Sequence, residues 1–242
     1  MVSAISFYFF YYSFFGRSPT MNEYLKAQNK TNESIINLHF SEDELARFSK
    51  SDYRWAENSP GIFRQREVKK GEVYQFEFGK NYCPEMSYEH RGLVIGVRNK
   101  LLLVLPIFSY LPDKHTDVYH PIDCPDSKSD LYLLRKQDYG FIEHDSVLKL
   151  NDLRTVSVNR ILYQHKGRIM PSSEEYKNIE LLTFHKLFPS LYHDYQATLE
   201  NNKALSNQLN SEHERMKSLE AELLHLKEMA ASSDNSEQSD TF

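Results

Sequence analysis

Residues Leu93 to Phe108 read LVIGVRNKLLLVLPIF, two apolar runs on either side of Arg98-Asn99-Lys100. Each run is too short for a core helix and is rich in β-branched and aliphatic residues, and the polar break is of hairpin length. The stretch predicts a β-hairpin buried on both faces.

Working outward, Glu72 to Phe78 follows the turn residue Gly71 and predicts a preceding strand, while Leu131 to Leu134 and Ser146 to Leu150 predict two later ones. Short strands at this spacing, with no alternation of strand and helix, predict a small barrel rather than a nucleotide-binding α/β fold. Upstream, Ser41 with Glu44 three residues later forms a capping-box pattern opening a short helix. Ser51 to Gly61 then reads as a loop. Downstream of Pro171 the pattern turns helical. With Leu205 at d, Leu209, Met216 and Leu223 fall at a and Leu219 and Leu226 at d, a coiled-coil repeat broken by Glu212 at one d position. The spacing extends back through Phe184, Phe188, Leu191 and Tyr195, with Pro189 expected to kink or restart the helix.

The fold class is therefore α+β, in four parts: an extension over 1–60 with a short helix, a β-barrel over 61–170, a coiled coil over 171–230 expected to pair with a second copy, the alternative being a long helix folded back on its own barrel, and a polar tail over 231–242 expected to be disordered. The aromatic run over 1–15 is shorter than the roughly 20 apolar residues of a bilayer span and lacks the basic start of a secretory signal, so no membrane role is expected. Met21 looks like a natural start, and 1–20 like an addition to it.

The chain carries a net charge of −5 on 242 residues. The centre, 61–170, holds 17 basic and 14 acidic side chains, and 171–242 holds 6 and 13. A mildly basic centre beside an acidic tail fits brief contact with RNA, not bulk electrostatic capture of nucleic acid. The two cysteines, Cys83 and Cys124, form no CxxC pair, so a reduced cytoplasmic setting is expected, with no disulfide and no structural metal. His115 and His120, with Asp117 and Asp123, sit close in sequence without a supported ligand geometry.

Several motifs, in order, resemble the PemK/MazF family of toxin ribonucleases. Lys69-Lys70-Gly71-Glu72-Val73-Tyr74 resembles its first strand, Glu85 with Arg91-Gly92 its loop and arginine, and Leu105-Pro106-Ile107-Phe108-Ser109 its Pro-Ile-Thr step. Asp145 to Val156, then Arg160-Ile161, resembles the closing strand and the Arg-Thr helix start. Two positions depart from the pattern: Gly92 stands where proline is usual, and Phe108 where threonine is.

The resemblance implies an SH3-like, PemK-type barrel that cleaves single-stranded RNA without a metal or cofactor and is silenced by an antitoxin of protein or RNA. It implies that Arg91 acts at the scissile phosphate and that Ser109 supplies the hydroxyl of the Pro-Ile-Thr step. His90, next to Arg91, is a candidate acid or base because imidazole exchanges protons near neutrality. Lys80, Tyr82, Phe108, Lys149, Asn151 and Asp152 are candidate RNA contacts, the aromatics by stacking on unpaired bases. Arg154 reads as a structural partner of Asp152. Strand alternation sets Phe108 and Ser109 on opposite faces, so Phe108 in the cleft turns Ser109 to the core unless a bulge intervenes. A barrel without chemistry that binds RNA or protein, with the coiled coil as its working part, is the alternative. A purely structural coiled-coil protein is the third.

Overall fold

The computed structural model describes residues 21–58 and 67–237; the expectations for 1–20 and for 238–242 lie outside the described residues. The order is α1 (Met21–Asn37), α2 (Glu42–Asn58), β1 (Glu72–Glu77), β2 (Glu89–Arg98), β3 (Leu101–Ser109), β4 (Leu131–Leu134), β5 (Ser146–Lys149), β6 (Arg154–Ser157), β7 (Ile161–Arg168), α3 (Glu174–Leu187) and α4 (Pro189–Glu237). The chain is α+β. Its seven strands form one antiparallel sheet in the order β4-β5-β3-β2-β1-β7, with β6 added to β3.

The hairpin organises this sheet. Arg98 pairs with Leu101, leaving Asn99 and Lys100 as the turn, and Asn99 takes a φ of +55°, a conformation asparagine accepts more readily than most residues. Strand β3 then serves two partners in succession: Leu101 to Val104 pair with β6, and Ile107 to Ser109 with β5. Pro106, which has no N–H to give a ladder, falls at the handover.

Alternation along β1, β2 and β3 divides the interior in two. Val73, Leu93, Leu105 and Ile107 form one core with Tyr132, Leu148 and, from α3, Tyr176 and Ile179. Tyr74, Phe76, Val94, Leu102 and Val104 form the other with Val156, Val158 and Ile161. Ser173 caps α3 by accepting the Tyr176 N–H, and the Tyr176 hydroxyl donates to the Ile95 carbonyl across 3.1 Å. That bond fastens the helix to the sheet.

The capping box at Ser41 is present, Ser41 N–H donating to Glu44 Oε2 and Glu44 N–H to Ser41 Oγ. The helix it opens runs to Asn58, so Ser51 to Asn58, expected as loop, are helical. Its docking is polar. Ser51 Oγ donates to Glu77 Oε1 at 3.0 Å, and Arg54 Nη1 bridges Glu77 at 2.9 Å and Glu89 at 2.7 Å. A hydrophobic pattern search cannot see such a contact. Arg154-Thr155, expected to start a helix, lies in β6, after a single 3-10 turn at Leu150–Asp152. Helix α4 begins at Pro189, as expected, and continues to Glu237, into the tail expected to be disordered. No helix among the described residues is long and apolar enough to cross a membrane.

Candidate functional site

Register on the face that carries the first core determines what surrounds Arg91. Leu93 pairs with Val73 in that core, Arg91 with Gln75, and Glu89 with Glu77 beneath α2. Arg91 therefore sits between a dry core and a polar helix contact. On its other side it pairs with Ile107, and the next β3 residue on that face is Ser109, opposite Ser146 of β5. Across β1, Gln75 pairs with Tyr163 of β7, and His165 follows on the same face.

The side chains meet as the register requires. Arg91 Nη2 donates to Ser146 Oγ at 3.2 Å, and Ser146 Oγ donates to the His144 carbonyl at 3.0 Å. Ser109 Oγ and His144 Nε2 are 2.7 Å apart, and His165 Nε2 lies 3.0 Å from Gln75 Oε1. Ser146 is fully buried, Arg91 and His165 half-buried, and Tyr163 about half exposed, its ring 5.2 Å from that of His165. The polar cluster thus lies at the rim of the core with one side open.

Its electrostatics favour a neutral imidazole beside a cation. Burial pushes the His165 pKa down, the Arg91 charge pushes it further, and Glu143 opposes them. Burial also lowers Arg91, offset by Glu143 and Tyr163. Arg91 makes no ion pair among the described residues. A half-buried guanidinium without a bound carboxylate is able to receive an anionic group such as a phosphate.

The structure brings together Arg91 and Ser109 of the expected residues. Ser109 lies on the Arg91 face, and Phe108 turns away into a cluster with Val118, Leu133 and Val147, its ring 5.3 Å from that of His115. His90 pairs with Phe76, so alternation sends it off the opposite side of the sheet from Arg91. Burial, with Arg47 and Arg91, lowers its pKa.

Lys80 pairs with Asp52 and stacks over the Phe48 ring at 3.8 Å. Tyr82 is 88% exposed in the loop between β1 and β2. Asp152 accepts the Met86 N–H at 2.9 Å and is bridged by Arg154, which also donates to the Met86 carbonyl, while Lys149 donates to the Pro84 carbonyl. These three latch that loop to the sheet, the structural part expected of Arg154. Asn151 donates to Asp130 at 2.9 Å.

No protein-family model and no curated protein matches the chain. The site therefore has to be read from its own geometry. Sequence reasoning missed Gln75, His144, Ser146, Tyr163 and His165. The alternation Tyr163, His165 was the available signal, but β7 is mostly exposed and lacks the apolar run that marks a strand. His115 and His120 are engaged locally, His115 accepting the Leu111 N–H and His120 the Asp123 N–H, and among the described residues no group of three or more His, Cys, Asp or Glu is placed to hold a metal.

Proposed function

We propose that the chain is an endoribonuclease that cleaves single-stranded RNA using the RNA's own 2′-hydroxyl as nucleophile. The observation that carries this reading is the half-buried Arg91, without an ion pair among the described residues, sharing one open face with a neutral-leaning His165 and the Ser109–His144 pair. His165 removes the 2′-hydroxyl proton as the O2′–P bond forms. Arg91 stabilises the charge gathering on the phosphoryl oxygens. His144, aligned by Ser109, donates a proton to the 5′-oxygen as the P–O5′ bond breaks, leaving a 2′,3′-cyclic phosphate and a 5′-hydroxyl. Exposed Tyr163 and Tyr82 offer π-faces to unpaired bases.

On this reading the arc β7-β1-β2-β3-β6 around the Phe76 and Val104 core, whose end strands β6 and β7 do not pair, is an open form of an SH3-like, PemK-type barrel. The protein is a cytoplasmic toxin of a toxin-antitoxin pair, with protein or RNA as the silencing partner. The test is incubation of the purified full chain with single-stranded RNA in a chelator, with end analysis, beside Arg91→Ala. Cyclic phosphate ends made by the wild type and lost in the variant support the assignment; intact RNA with both, in folded protein, overturns it.

One observation favours a second reading, a barrel that binds without cutting. The position that resembles the family's threonine is Phe108, packed away from Arg91. RNA retained by the wild type without new ends supports it. In both readings the exposed apolar stripe of α4 is the surface for pairing with a second copy.

A further inference from the structure

Helix α4 spans 49 residues, about 74 Å at 1.5 Å per residue. Its beginning packs on α3. Phe184 of α3 meets Phe188, Tyr192 and Tyr195 at ring separations of 6.0–6.5 Å, and His185 stacks on Tyr192 at 4.3 Å. These contacts absorb the early part of the heptad spacing at the α3–α4 corner. Beyond it, the apolar seam from Leu205 to Leu226 is more than half exposed at every position.

The same register puts Asn202 at a, Arg215 and Glu222 at g, and Glu220 and Lys227 at e. None of these four charged side chains makes an ion pair within its own chain among the described residues. We propose that two copies of α4 pair as a parallel, in-register, two-stranded coiled coil from Asn202 to Leu226. This rests on the self-pairing stated above and fixes its direction.

In a parallel pair, a g residue faces the e residue five positions on in the other helix. Arg215 then meets Glu220 of the second copy, and Glu222 meets Lys227, so all four charges are matched on both sides of the seam. Asn202 meets its own counterpart, the arrangement in which a buried asparagine fixes direction and register. The antiparallel arrangement that best suits the charges sets Arg215 against Glu222 but leaves Lys227 opposite Ser206 and Asn202 beyond Leu226. In the parallel arrangement Glu212 faces Glu212, a like-charge layer that weakens the pair. Both sheets are then carried at the same end of the coil.

The test uses the full chain, by analytical ultracentrifugation. Glu222→Lys and Lys227→Glu each weaken the dimer by about tenfold, and the double exchange restores it. Nitroxide labels at the outward f positions 207 and 221, in a chain whose exposed Cys83 and Cys124 are replaced by Ser, give the same inter-copy distance, the width of the coil. Distances that are long or differ between the two sites, or a double exchange that fails to restore pairing, overturn the parallel register. A wild-type chain that stays monomeric overturns the pairing altogether. The exchanged charges at 222 and 227 lie on α4, outside the proposed site, so RNA cleavage by those variants is read separately from dimerisation.

Discussion

His165 Nε2 and Gln75 Oε1 face each other at 3.0 Å across the pairing of β7 with β1. With the amide oxygen accepting, Nε2 carries the proton of the neutral ring and Nδ1 is left with the lone pair. In the proposed reaction Nδ1 is then the atom that takes the 2′-hydroxyl proton.

Burial first, and the Arg91 charge second, lower the His165 pKa, so exchanging Arg91 for methionine removes one of the two causes. NMR titration of the His165 ring is expected to show a higher pKa in Arg91→Met than in wild type. In cleavage assays the acidic limb of the kcat/KM profile of the wild type is expected below the ordinary imidazole value and to be lost in His165→Ala. An unchanged limb in that variant removes His165 from the mechanism.

In the proposed reaction, loss of the guanidinium removes the donor to the phosphoryl oxygens. Arg91→Ala is expected to reduce cleavage by about 100-fold or more, the magnitude of one lost oxyanion donor. Arg91→Lys is expected to recover only part of it, because an ammonium lacks the planar fork. Circular dichroism of both variants checks that the fold is kept.

Arg54 joins α2 to Glu77 and Glu89, and Glu77 is nearly buried. Arg54→Ala leaves that carboxylate short of its cation and is expected to cost about 2 kcal/mol. Partial burial raises the Glu89 pKa, but its bonds to Arg54 and Lys50 outweigh this and hold it below the usual value. Its contribution is thus present above the unfolded pKa and is lost as pH falls through the lower, folded one. Hydrogen-exchange protection in α2, measured against the intrinsic exchange rate at each pH, is expected to fall in acid, and to do so less steeply in Glu89→Gln.

A Cβ on Gly92 would lie 2.4 Å from Val104 Cγ1 and 2.9 Å from Phe76 Cδ2. Both belong to the second core, which has no room to give. Gly92→Ala is expected to cost about 1–3 kcal/mol, the usual penalty of overpacking. A thermal melt measures it; an unchanged midpoint shows that the core repacks freely.

Legibility in the sequence followed the range of each interaction. The hairpin, the Ser41 cap, the restart at Pro189 and the heptads of α4 are written in neighbouring residues, because turn chemistry, capping and helical periodicity act over a few positions. The one-sided polar docking of α2 and the exposed strand β7 have no such local mark. The sequence by itself determined the strands that flank Asn99, the face each residue shares with its neighbours two positions away, and the stripe on α4. Only the tertiary structure decided that Ser109 of β3 shares a face with Arg91 of β2, and that Gln75 and His165 complete the site from β1 and β7. Those choices depend on strand register, and register is set by the packing of distant side chains into two cores, which no window of adjacent residues contains.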